Sequence, residues 1–81
     1  MTKQEADKAP WEKAVDQGLE IISLIDDDVP DHAKDAAPDF FEDVRDKVSQ
    51  VVERIEITRS VSDRQRAAFD GWQSGVEAWI K

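Results

Sequence analysis

The chain has 81 residues, a net charge of −8, a pI near 4.4 and no cysteine. That length allows one domain near the lower limit of independent folding. The missing cysteines exclude disulfide frameworks and thiolate metal sites, and the acidity argues against general nucleic-acid binding, which depends on phosphate contacts. No apolar run approaches the ~20 residues of a membrane span, and Met1 to Lys8 is too polar for a signal peptide, so a cytoplasmic protein is expected.

In chain order, residues 1–9 contain few apolar side chains before Pro10 and are expected to be weakly ordered. Pro10 suits the first position of a helix, where its missing N–H has no helical partner. From there Trp11, Ala14, Val15, Gly18, Leu19, Ile22 and Ile25 recur on one face, predicting a first helix over about 10–26. Asp26, Asp27 and Asp28 then oppose the helix macrodipole and should stop or fray it.

Val29-Pro30 and Ala37-Pro38 bracket the connection, because a residue before proline is pushed out of helical geometry. A short helical turn over 30–36 is compatible with this segment. Pro38 opens a second long helix over about 38–57, with Phe40, Phe41, Val44, Val48, Val51, Val52 and Ile55 as its apolar stripe. Ile55, Ile57 and Val61 briefly alternate, but a strand there would have no partner. Ser62 three residues ahead of Gln65 is a capping box for a third long helix over about 62–80. Its apolar positions are Ala68, Phe69, Trp72, Val76, Trp79 and Ile80. This tail resembles the capped terminal helices of many small bacterial proteins, a likeness that implies no activity. The expected fold is all-α, a small antiparallel three-helix bundle forming a single domain over 10–81.

The charge is unevenly distributed. Residues 1–40 hold eleven carboxylates against four lysines, whereas all five arginines lie in 41–81. In an up-down-up bundle, the acids from Asp26 to Asp43 and the arginines Arg54, Arg59, Arg64 and Arg66 belong to opposite ends. Asp27, Asp31, Asp35, Asp39 and Asp43 recur every four residues. On one unbroken helix they would form a carboxylate row able to imitate a nucleic-acid backbone, although Pro30 and Pro38 argue against such continuity.

Catalysis has little to work with. There is one histidine, no cysteine and no tyrosine, and no serine has an evident base. His32 sits among Asp28, Asp31 and Asp35 without a nucleophile to serve. Read as a calcium loop from Asp26, the sixth position is Asp31 rather than glycine and the twelfth is Ala37 rather than glutamate, so the pattern fails. The sequence therefore points to no enzyme, no metal and no cofactor.

Two features remain as binding candidates. Ala67, Gly71, Gly75 and Ala78 form a small-residue stripe on the third long helix, echoed by Ala14 and Gly18 on the first. Glycine in a helix costs about 1 kcal/mol relative to alanine, so a packing reason is expected. Either the two stripes meet within the chain, or Gly71 and Gly75 seat a partner. Trp72 and Trp79 share a face; Trp72 is expected in the core and Trp79, near the end of the helix, partly exposed. The resulting expectation is a small acidic non-enzymatic protein–protein interaction module, regulatory or self-associating, that uses Asp27, Asp31, Asp35, Asp39, Asp43, Gly71, Gly75 and Trp79. The alternative is an acidic mimic that inhibits a DNA- or RNA-binding protein.

Overall fold

In the computed structural model, which describes residues 8–80, every regular element is helical. Helix α1 spans Pro10–Ser23 and widens into a π-helical turn over Leu24–Asp28. A short α2 covers Asp31–Ala36, α3 covers Pro38–Thr58, and α4 covers Asp63–Ile80. The three long helices and the short turn match the expected all-α bundle. Of the N-terminal segment expected to be weakly ordered, residues 1–7 lie outside the described residues, as does residue 81.

Local chemistry explains each boundary. The Ala9 N–H donates to Glu12 Oε1 at 3.0 Å, closing the first turn of α1 from the carboxylate side. Lys8 pairs with Asp16 two turns further on. At the other end helical geometry stops directly after the three aspartates, at Val29, as expected; the last turn widens rather than frays, and the Val29 N–H reaches the Leu24 carbonyl at 2.8 Å. Ile21, Ile25 and Val29 are all buried at steps of four. Each step of four overshoots a 3.6-residue turn by about 40°, so a wider turn keeps all three on the core side. The helix end is then neutralised from outside. Lys34 Nζ donates to the Asp26 carbonyl at 3.3 Å, and Arg45 Nε and Nη2 donate to the Asp26 carboxylate at 3.1 and 3.2 Å.

Ala37 (φ −140°, ψ 58°) breaks the backbone before Pro38 opens α3. Helix α3 ends at Arg59, which adopts the left-handed conformation (φ 54°, ψ 38°) and donates its N–H to the Ile55 carbonyl at 2.7 Å. The capping box then starts α4: the Ser62 N–H donates to Gln65 Oε1 at 2.9 Å, and the Gln65 N–H donates to Ser62 Oγ at 3.1 Å.

Helix α3 runs antiparallel to α1 and α4. Gly18 of α1 meets Val52, while Asp26 meets Arg45 near the start of α3; Gly75 and Trp79 of α4 meet Phe40 and Phe41. The core centres on Ile21, Val48, Ile55, Phe69 and Val76, each fully buried and each worth about 1.5–3 kcal/mol of burial. Helix α1 packs most extensively on α3, and α4 lies more on α1 than on α3. Gln17 fastens that second contact, its amide donating to Asp70 Oδ1 at 2.8 Å and Gln73 Oε1 at 2.9 Å.

Several sequence expectations need correction. The small-residue stripes do not meet. Gly18 is consumed by α3, where a Cβ would collide with Val52 and lie 3.2 Å from the Phe69 ring, whereas Gly71 has no atom within 4 Å of a Cβ position. Trp72 is half-buried at the core's edge, and Phe69 takes the central place expected of it. Leu19 and Phe40, both read as stripe positions, are exposed. The period-four carboxylates, by contrast, are divided among separate helices at Val29-Pro30 and Ala37, as the two prolines led us to expect.

Candidate functional site

The candidate site lies where α4 ends against the beginning of α3. Phe40 and Phe41 are neighbours in sequence and so point about 100° apart on the helix, and the arc that α3 buries at this end takes only one of them. Phe41 is in register with Val44, Val48, Val52 and Ile55 and is buried; Phe40 turns out and stays 38 % exposed. Its ring edge meets Phe41 at a centroid distance of 5.1 Å, and Phe41 in turn meets the Trp79 ring edge-on at 5.8 Å. Trp79 is 40 % exposed.

Gly75 joins the two exposed rings. It lies one turn before Trp79 on α4, and a Cβ there would come 3.4 Å from Phe40 Cζ. The Phe40 ring thus lies over the Gly75 backbone, and Phe40 and Trp79 are two half-exposed rings both packed on the buried Phe41. Ala67, Gly71 and Ala78 continue on exposed positions of α4, with open space over Gly71. Edge-to-face rings of this kind hold one another in place at about 0.5–1.5 kcal/mol per pair, so the surface is preformed.

Carboxylates adjoin Phe40 on the outer side of α3. Asp39, Glu42, Asp43 and Asp46 line a shallow open depression along α3 together with Phe40, Arg45 and Ser49. Asp43 is paired with Lys47 at 3.1 Å, and Asp46 accepts from Gln50 Nε2 at 3.0 Å. Arg45 is turned away to Asp26. Among the described residues, Asp39 and Glu42 have no hydrogen-bond or ion-pair partner, and both are exposed.

Of the residues singled out in the sequence, Asp39 and Asp43 lie beside Phe40, Gly75 lies under its ring and Trp79 packs on the neighbouring Phe41, with Gly71 further along α4. Asp27 is in the π-helical turn, where it accepts from Ser23 Oγ at 3.2 Å, and Asp31 and Asp35 sit on α2. All three are exposed but belong to other segments. Phe40 and Glu42 were missed as site residues. The adjacent Phe pair carried the signal for Phe40, since only Phe41 keeps the buried register. His32 is exposed, and among the described residues no three His, Asp or Glu side chains converge as metal ligands.

At the opposite end, Ile57 on the last turn of α3 is 75 % exposed. Arg54, Arg59, Arg64 and Arg66 are exposed around the α3–α4 turn, and among the described residues none of them forms an ion pair. Also among the described residues, no helix is long and apolar enough to cross a membrane. No protein-family model, no curated protein and no solved structure matches the chain.

Proposed function

We propose that this chain is a non-enzymatic protein–protein interaction module of the cytoplasm that captures a basic, apolar segment of a partner on the Phe40–Gly75–Trp79 surface. The observation that carries this reading is the coincidence of two half-exposed aromatic rings with the unpaired carboxylates of Asp39 and Glu42. Exposed aromatics over a packed base act as anchors, because a ring already held in place loses little entropy on binding. Neighbouring free carboxylates favour lysine or arginine around the apolar contact and speed encounter. Gly75 leaves room for the Phe40 ring against α4, and the open backbone at Gly71 further along the helix lets a partner side chain approach closely.

The nucleic-acid mimic is the weaker reading. It requires evenly spaced carboxylates on one rigid element, and the backbone breaks at Val29-Pro30 and Ala37 divide that row.

Titration with a short amphipathic peptide carrying arginine and isoleucine tests the proposal, with an acidic peptide of equal apolar content as control. Binding of the basic peptide alone is expected. It should weaken about tenfold or more in Trp79→Ala and in Asp39→Lys/Glu42→Lys. Equal binding of both peptides, or of neither, contradicts the reading.

A further inference from the structure

The chain carries, at its own far end, a segment with the chemistry that the aromatic–acidic surface selects. Ile57 is its most exposed large apolar side chain among the described residues, standing out on the last turn of α3. Arg54 and Arg59 flank it in sequence, and Arg64 and Arg66 open α4 across the turn, all free of ion pairs among the described residues. Residues 53–66 hold four arginines against three carboxylates, whereas residues 26–47 hold nine carboxylates against three basic side chains. One end therefore offers an apolar knob set among arginines, and the other an aromatic seat set among carboxylates.

The two cannot meet within one molecule. Phe40 and Ile57 lie near opposite ends of the 21-residue α3, about 25 Å apart along its axis, well beyond a Debye length of about 8 Å at physiological salt. Two molecules can bring them together. We propose that the hairpin tip of one copy docks on the Phe40–Gly75–Trp79 surface of a second copy, head to tail, with Ile57 on the rings and the arginines beside Asp39 and Glu42. This rests on the binding role proposed above for that surface. Such a contact is heterologous: each copy keeps one free tip and one free seat, so association continues into short linear chains rather than closing as a symmetric pair. The net charge of −8 on every copy opposes the approach, and exposed ion pairs contribute little, so the contact is weak and salt-sensitive.

Sedimentation equilibrium on the full chain over a concentration series distinguishes this arrangement. The wild type should rise in apparent mass with concentration near physiological salt, and the rise should shrink in high salt. Two variants each destroy one face: Ile57→Glu at the tip and Asp39→Lys/Glu42→Lys at the seat, both on exposed positions, with retained helix content checked by circular dichroism. Each alone should associate about tenfold or more weakly than the wild type. Mixed in equal amounts, they should recover a dimer that grows no further, because only one intact tip and one intact seat remain to pair. Trp79→Ala supplies a second seat variant expected to behave alike. A wild type monomeric at every concentration and salt overturns the proposal, as does an Ile57→Glu variant that associates like the wild type. If the wild type stays monomeric yet binds the basic peptide, the self-docking fails while the binding role of the surface stands; if it binds neither, both fail.

Discussion

Gly18 faces Val52 with no room for a side chain between them. A Cβ at Gly18 would overlap the valine's Cγ2 and press to 3.2 Å from Phe69 Cζ, so the absence of a side chain sets how closely α1 approaches α3. Gly71, on the exposed side of α4, has nothing within 4 Å of the same position.

These two glycines should respond oppositely to the same substitution. Gly18→Ala gains about 1 kcal/mol of helix propensity but forces overpacking worth about 1–3 kcal/mol, so a net loss is expected. Gly71→Ala meets no neighbour and should stabilise the domain by about 0.5–1 kcal/mol. Urea melts of both variants provide the comparison. A destabilised Gly71→Ala would mean that the stripe is covered in the isolated molecule.

Phe69 is fully buried, whereas Trp72 lies beside it at a centroid distance of 6.0 Å and keeps part of its ring in solvent. Phe69→Ala should therefore cost about 3–5 kcal/mol and Trp72→Ala less, about 1–3 kcal/mol. A domain of this size has only about 4–12 kcal/mol in total, so Phe69→Ala should be largely unfolded at modest denaturant. Equal losses would contradict the burial pattern.

Arg59 holds a left-handed backbone that costs a residue with a Cβ about 1 kcal/mol and costs glycine almost nothing. Arg59→Gly should raise the thermal midpoint, with a gain of about 0.5–1 kcal/mol. The same change removes one of the tip arginines, so a chain made more stable but less prone to associate is the combined expectation.

The helices were legible in the sequence because each boundary has a local chemical cause: Pro10 and Pro38 as openers, the Ser62–Gln65 box, and the broken backbone before each proline. Which face of each helix is buried was only partly legible. Phe40 and Leu19 keep an approximate helical period yet are exposed; on α3 the buried arc is narrow because α4 lies more on α1 than on α3. That crossing also decides the fate of the glycines, since periodicity shows Gly18 and Gly71 alike while only the packing shows that one is filled and the other open. The acidic site was half legible. Asp39 and Asp43 were identified by a period-four row that the backbone does not preserve, and Glu42, outside that row, is one of the two carboxylates left unpaired.

The account turns on whether Phe40, Gly75 and Trp79 form a contact surface. The three tryptophan indole N–H resonances report on it separately: Trp11 belongs to α1, Trp72 packs on Phe69, and Trp79 stands at the proposed surface. Two-dimensional NMR of the labelled chain, titrated with the arginine–isoleucine peptide, should move the Trp79 indole and the amides of Asp39, Phe40, Glu42 and Gly75 together while the Trp11 indole stays in place. Shifts confined to Asp27, Asp31 and Asp35, or a spectrum that does not change, would contradict it.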